Sequence, residues 1–295
     1  MPHANLQGVF LASAHETKLI LLGTKGGPRV GGTRANPANV ILTGGTPYVV
    51  DCGYGVTRQL IAAGMRPEQV RTILITHHHS DHILELGPLI YNIWVGGVHE
   101  PIEVWGPPPL QQVMDGFLRS MDYDIAIRID DEGRADLRQL VRVHEFEAPA
   151  VLFEANGVRV SAARVHHPPL THAYAYRFDA PDRAIVLSGD TAVCPEIIAF
   201  ARGADVLLHE VMHLGGVNRL IAARPSIARL REHLLASHTT TEQVGKVATE
   251  AGVKTLVLNH LVPGDDPGIT EEMWLAGPRR DFDGVVILGR DLQTV

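Results

Sequence analysis

Apolar and polar positions alternate along the chain in short runs, each apolar stretch closed by a polar or glycine-bearing turn. Residues 18–22 (KLILL) read as a strand. Residues 39–43 and 48–51 flank Gly44-Gly45-Thr46-Pro47 and read as a hairpin. Residues 56–63 predict a helix that stops near Gly64. The β-branched content of residues 71–75 marks a buried strand. An apolar helical stretch follows over 83–94, then a short strand over 102–105, closed by Gly106 and three prolines, then a helix over 110–121. Residues 122–147 are more polar and predict a cap or an edge hairpin.

The second half repeats the style. Strands are expected over 158–165, 173–178, 184–188 and 206–208, and later over 255–258 and 285–288. Thr239 and Glu242 have the spacing of a capping box. The helix they would open carries Val244, Val247, Ala248 and Ala251 on one face and stops at Gly252. Strands mixed with helices, hairpins early and polar residues in the loops after strands together predict an α/β (α+β) domain. Its two mixed β-sheets would pack face to face with helices outside.

No repeat or low-complexity tract divides the chain, so one domain is expected over 16–295, with 1–15 as a tail or extra strand. The apolar segment at 8–14 ends in small residues, but no lysine or arginine precedes it. It does not read as a signal peptide, and a cytoplasmic protein is expected. No apolar run approaches a membrane span. Cys52 and Cys194 are too few for a disulfide framework and read as two separate buried thiols. The net charge of −7, with no basic block, argues for a small-molecule substrate over a long nucleic acid.

What changes the picture is histidine, 16 of 295 residues, often at the end of an apolar run. The strongest cluster is Thr76-His77-His78-His79-Ser80-Asp81-His82, directly after the 71–75 strand. Extended spacing sets His77 and His79 on one side, and the turn into the next helix delivers Asp81 and His82. Imidazole with carboxylate suits zinc and similar divalent ions. One ion cannot easily use all four groups from so tight a turn, whereas two adjacent ions can. A histidine-rich surface loop would need neither an aspartate in register nor a buried strand leading in.

His-x-His-x-Asp-His resembles the signature of the metallo-β-lactamase superfamily. The opening Leu21-Leu22-Gly23-Thr24 and Tyr48-Val49-Val50-Asp51-Cys52-Gly53 resemble its branch of ribonuclease Z, phosphodiesterases and arylsulfatases. The resemblance spans nearly the whole chain. It implies a four-layer αββα sandwich with the site at the edge of the two sheets. It also implies three further ligands. The first is His167 in His166-His167-Pro168-Pro169, with His166 as the alternative. The others are Asp190 in Ser188-Gly189-Asp190-Thr191, and His260 at the end of a late strand. In this family pattern His77, His79 and His167 hold one metal, and Asp81, His82 and His260 hold the other, with Asp190 bridging. Glu210 and His238 resemble a supporting acid and a histidine near the leaving group. Helix-start packing is the competing role for His238.

The implied chemistry is hydrolysis of a small ester, a phosphodiester or aryl sulfate, by a hydroxide shared between two divalent ions. Zinc leads, with manganese or iron as alternatives, and Asp81 also orients the nucleophile. Lactonase or β-lactamase chemistry uses the same ligands. Transfer-RNA 3′ processing is disfavoured, because most such enzymes insert a clamping arm between the third histidine motif and the aspartate. Only 22 residues separate His167 from Asp190 here. An iron-dependent oxygenase is the remaining alternative. Relatives often dimerise, so a homodimer is implied. Gly23-Thr24-Lys25-Gly26-Gly27 lacks the ending of a nucleotide P-loop and reads as a rim loop. His78, His172 and His213 read as surface or packing residues.

Overall fold

A computed structural model describes residues 16–295. The expectation of a tail or extra strand over 1–15 lies outside the described residues. The first half opens with an antiparallel meander, β1 (Lys18–Gly23), β2 (Ala38–Thr43) and β3 (Thr46–Val50). Helix α1 (Val56–Ala62) then returns the chain for β4 (Thr72–Leu74), parallel to β3. Two helices, α2 (Ser80–Ile83) and α3 (Leu86–Val95), lead to β5 (Ile102–Gly106). Then α4 (Leu110–Ser120), α5 (Asp122–Glu132) and α6 (Leu137–Leu140) lead to β6 (Val141–Glu145), the far edge of a six-stranded sheet in sequential order.

The second half repeats the plan. Strands β7 (Ala150–Ala155), β8 (Val158–Arg164), β9 (Tyr174–Asp179) and β10 (Ala184–Leu187) form an antiparallel meander. After α7 (Pro195–Phe200) comes β11 (Val206–Met212), parallel to β10. Helices α8 (Leu214–Ala222), α9 (Leu230–Ser237) and α10 (Thr241–Ala251) precede β12 (Thr255–Val262). Helix α11 (Glu271–Asp281) precedes β13 (Val285–Leu288), which completes a seven-stranded sheet.

Strand alternation builds the layers. Leu19 and Leu21 of β1 point into the layer between the sheets, while Ile20 and Leu22 point to the outer helices. In β11, Val206 and Leu208 point inward and Leu207 outward; in β12, Val257 points inward and Leu256 and Leu258 outward. Both faces of each central strand are thus covered, which is why these strands read as continuous apolar runs. The result is the expected arrangement of two mixed sheets between helices.

Several local expectations are corrected. Residues 122–147 form two helices and an edge strand rather than a hairpin. Ile125 and Ile129, one turn apart, give α5 the face that packs on the core. The 83–94 stretch starts earlier, at Ser80, so Asp81 and His82 sit in a helical turn. Strand β7, not anticipated, carries the apolar run Ala150-Val151-Leu152-Phe153 yet is largely exposed. The capping box of α10 is made by Thr240 with Gln243, not by Thr239 with Glu242. Thr239 instead donates its hydroxyl to the Thr191 carbonyl (2.7 Å). Cys52 and Cys194 are both free and buried.

The chain closes on itself. Leu19 and Val295 exchange backbone hydrogen bonds, Leu21 N donates to Gln293 O, and Leu292 N donates to Leu21 O, so residues 292–295 cover the outer edge of β1. Asp291 accepts from Thr24 N, Thr24 Oγ1 and Ala35 N, which ties the 24–35 loop to the same end. Among the described residues no helix is long and apolar enough to cross a membrane.

Candidate metal centre

Most of the expected residues lie in the loops after strands of both sheets. His77 follows β4, with His79 at the entry to α2 and Asp81 and His82 on its first turn. From the second sheet, Asp190 follows β10 and His167 precedes β9. The turn after β10 needs Gly189, whose φ is 59°; a Cβ there would meet the Tyr174 carbonyl at 2.8 Å. His260 does not end its strand. It lies within β12 at φ 44°, in the one-residue shift where Glu210 pairs with Asn259 and Val211 with Leu261. The bulge turns its side chain out of the strand's alternation and into the site.

These side chains converge. His79 Nδ1 is 3.2 Å from His77 Nε2 and 3.0 Å from His167 Nε2. Asp190 Oδ2 lies 3.1 Å from His260 Nε2, 3.4 Å from His82 Nε2, 3.8 Å from His77 Nε2 and 3.9 Å from His167 Nε2. Asp81 Oδ2 is 3.3 Å from His260 Nε2 and 3.7 Å from His82 Nε2. Two potential ion sites result, His77–His79–His167–Asp190 and Asp81–His82–His260, each with donor atoms within 4.8 Å of one another. Asp190 also groups with His238 and His260. His167 is buried and His166 exposed, so His167 is the histidine that faces the cluster.

The opposite ring nitrogens are held. His77 Nδ1 pairs with Thr76 Oγ1 (3.0 Å), His82 Nδ1 with Asp51 Oδ2 (2.8 Å), and His167 Nδ1 donates to the Ser237 carbonyl (2.9 Å). Asp51 also accepts from Thr76 N and Thr76 Oγ1. These partners fix tautomers that leave Nε2 with its lone pair toward the cluster. Sequence reading quoted Asp51 as part of a motif but missed this role; its place at the end of a strand beside Cys52-Gly53 was the available signal.

The electrostatics call for positive charge. Burial alone would raise Asp190, but the imidazoles of His260 and His82 override it and hold the carboxyl well below its usual range. Burial also opposes ionisation of Asp81, yet His82 and the hydrogen bond from His260 bring it down to about 2. Burial pushes His77 well down and His167 down to about 3, which keeps both neutral. His82 goes the other way: burial disfavours its charge, but Asp190, Asp51 and Asp81 raise it well above the usual value. A cation would take the place of that proton. His82 Nε2 and Asp190 Oδ1 are buried with no hydrogen-bond partner among the described residues, at a cost of about 1–3 kcal/mol each if left so. A cavity of about 20 Å³, room for one small species, is lined by Asp51, His82, Asp190 and His260 among others. The donor set, the orphaned atoms and the cavity all fit divalent metal.

Glu210 and His238 meet beside the cluster. Both His209 and Glu210 lie inside β11, which runs past the expected end at Leu208. Glu210 Oε1 accepts from His238 Nδ1 (3.0 Å), Thr191 N (3.0 Å) and Thr239 N (3.3 Å). Burial disfavours charge on His238, but the Glu210 carboxylate outweighs it and brings its pKa up to about 9. The His238 ring lies 5.1 Å from that of His167 and 5.7 Å from that of His260.

The rim loop touches the site: Gly27 N donates to Asp81 Oδ2 (2.9 Å), and a Cβ on Gly26 would strike His260 Nδ1 at 2.6 Å. Lys25 pairs with Asp265 and the Gly31 carbonyl, so its charge is spent on the loop. His78 Nε2 donates to the Pro107 carbonyl (2.7 Å), and His213 Nδ1 accepts from Gly216 N (3.1 Å) as the cap of α8. His172 is half-buried, and its Nδ1 lacks a partner among the described residues. His233 on α9, which the sequence reading passed over, comes within 6.1 Å of the His79 ring.

Comparison with known proteins agrees with this geometry. The family described as Anti-Pycsar protein Apyc1 matches residues 17–246. The chain is 33% identical over 282 residues to a protein named ribonuclease Z from Mycobacterium bovis (strain BCG / Pasteur 1173P2), covering 94% of this chain and 97% of that one. The metallo-β-lactamase fold protein YhfI from Bacillus subtilis superposes with a TM-score of 0.71 at 20% identity, over 95% of this chain and 98% of that one. The short form of human tRNase Z gives 0.67 at 23%, over 94% and 98%. The two structures speak to the fold, and the sequence relative and the family match speak to descent. The chain therefore belongs to the metallo-β-lactamase superfamily of metal-dependent hydrolases, in its ribonuclease Z-like branch, and to the family described by the anti-Pycsar protein Apyc1.

Proposed function

We propose that the chain hydrolyses small anionic esters, phosphodiesters first and aryl sulfates second, with two divalent cations, zinc foremost. The observation that carries this reading is the position of Asp190 Oδ2, within 3.1–3.9 Å of imidazole nitrogens from both potential ion sites. His77, His79 and His167 would hold one ion and Asp81, His82 and His260 the other, with Asp190 between them. Imidazole and carboxylate donors favour zinc, and manganese or iron suit them as well. A bound ion pair supplies an activated water as nucleophile and offsets charge on the developing oxyanion.

The chain's own residues do the rest. Asp51, Thr76 and Ser237 orient the ligating rings. Asp81, fixed by Gly27 N, orients the attacking water. Glu210 holds His238 by Nδ1, so its Nε2 carries the proton that passes to the leaving-group oxygen. The net charge of −7 supports a small substrate.

A second reading is maturation of transfer-RNA 3′ ends, favoured by 33% identity to a protein named ribonuclease Z. The short interval from His167 to Asp190 does not separate this chain from that relative, because the match covers 97% of the relative's length. The deciding experiment sets metal-loaded protein against bis(p-nitrophenyl) phosphate, an aryl sulfate, a lactone, a β-lactam and a precursor tRNA. Cleavage of the phosphodiester at the highest kcat/KM is expected. A preference for the lactone, the β-lactam or the tRNA would replace this reading.

A further inference from the structure

His233 lies on α9, outside every candidate ligand group. Its ring centroid is 6.1 Å from that of His79, 6.4 Å from that of His167 and 6.2 Å from that of His238. It stands over three site imidazoles almost equally. His167 is closer to the other two, 4.9 Å from His79 and 5.1 Å from His238. His167 and His238 are buried, whereas His233 is only half-buried, so it occupies the solvent side of the cluster. It is too remote to share an ion with the others and near enough to touch a molecule bound to one.

Its position is also fixed. Ser237 lies one helical turn further along α9, on the same face. Ser237 accepts from His167 Nδ1 through its carbonyl and donates through its hydroxyl to the Pro168 carbonyl. Leu234 anchors the helix in a small apolar cluster with Met212, Val217 and Val262. The face that bears His233 is thereby tied to the third-motif histidine. His233 Nδ1 lies 3.5 Å from Ser237 Oγ, beyond ordinary hydrogen-bond length, and the Ser237 proton goes to Pro168, so the contact does not hold the imidazole proton on Nδ1. Nε2, which makes no side-chain hydrogen bond among the described residues, is the nitrogen free to carry it.

We propose that His233 is a substrate-contacting residue: its Nε2 hydrogen-bonds a non-bridging oxygen of the ester held over the His79–His167 side, and so favours anionic phosphorus and sulfur esters over neutral carboxylic esters. This rests on the reading of the site as an ester hydrolase. A tetrahedral phosphoryl or sulfuryl group has an oxygen to spare for such a donor when its others face the metal centre, whereas a planar carboxylic ester does not. The role differs from that of His238, which is buried, salt-bridged and aimed at the leaving group.

The test uses the full chain, metal-loaded, as wild type, His233→Ala and His233→Gln. Two substrates with the same leaving group, bis(p-nitrophenyl) phosphate and p-nitrophenyl acetate, give KM and kcat, and calorimetry with inorganic phosphate gives affinity without turnover. In His233→Ala, the phosphodiester KM should rise and phosphate binding weaken by about tenfold to a hundredfold, the worth of one hydrogen bond to a charged group. The acetate KM should stay within about twofold. His233→Gln, which keeps an N–H near the same place, should recover much of the loss. Metal content and thermal midpoint should match wild type. Unchanged phosphate affinity, equal losses on both esters, or lost metal would each overturn the assignment while wild-type turnover left the hydrolase reading standing. A wild type that cleaved no ester and bound no phosphate would remove the reading and this inference together.

Discussion

Individual residues in this site act in pairs, a group facing the cluster and a partner behind it. Replacing Asp190 with Ala should remove bound metal and hydrolytic rate together, as measured by elemental analysis after dialysis and by steady-state assay. The only carboxylate oxygen among the described residues near imidazoles from both ion sites would be gone. Asp51→Asn should leave all the cluster side chains in place but weaken metal affinity by about 10–100-fold in a chelator competition, because His82 would lose its orienting carboxylate. Glu210→Gln tests the proton on His238. The folded pKa of His238, about 9, exceeds its ordinary value of 6.5. Its charge therefore stabilises the fold fully below pH 6.5, and that contribution fades as pH rises through 9. In the metal-free protein, titration by NMR should show a lower His238 pKa in the Gln variant; an unchanged value would deny the pairing. Bound cations offset Asp81 and Asp190, so in the loaded enzyme the alkaline loss of activity should begin below 9, and Glu210→Gln should move it lower still. His77, His79, Asp81 and His82 were legible because they are neighbours in one string. Asp51 and His233 were not: what gives each its role is a partner 31 residues away in one case and an entire helix in the other.

At the level of elements, the strands with both faces covered were easy to read, and the exposed edge strands β6 and β7 were not. Strand β12 was expected over 255–258 with His260 at its end; it runs on to Val262, and Asn259 and His260 are buried within it. The start of α10 shows how a neighbour competes with a local signal. Thr239 and Glu242 have the capping spacing, but the Thr191 carbonyl claims the Thr239 hydroxyl, and Thr240 with Gln243 forms the box instead. Thr240→Ala should therefore cost about 1 kcal/mol in denaturant unfolding with little change in rate. An equal or smaller loss than in an exposed mid-helix control would show that the cap contributes nothing.

The molecule as a whole is two similar halves, each an antiparallel meander followed by parallel strands, meeting along one apolar layer. Two mixed sheets packed face to face followed from the apolar runs, the early hairpin and the polar loops; the strand directions within each sheet did not. Nor did the helical segment from α8 to α9, since it packs on a small cluster of its own, closed by Met212 of β11 and Val262 of β12. A chain cut after Arg290 tests the closure of the two ends. It would keep every cluster side chain, yet bare the flank of β1 and free the 24–35 loop from Asp291. Concentration-dependent association in light scattering is the expected result, and a stable monodisperse product would refute it. The same closure sets a timetable for biosynthesis. A ribosome adding 5–20 residues per second needs roughly 15–50 s to travel from the first strand to its covering segment. Throughout that interval a sticky apolar ribbon waits for a mate, so nascent chains should lean on chaperones until the final stretch emerges.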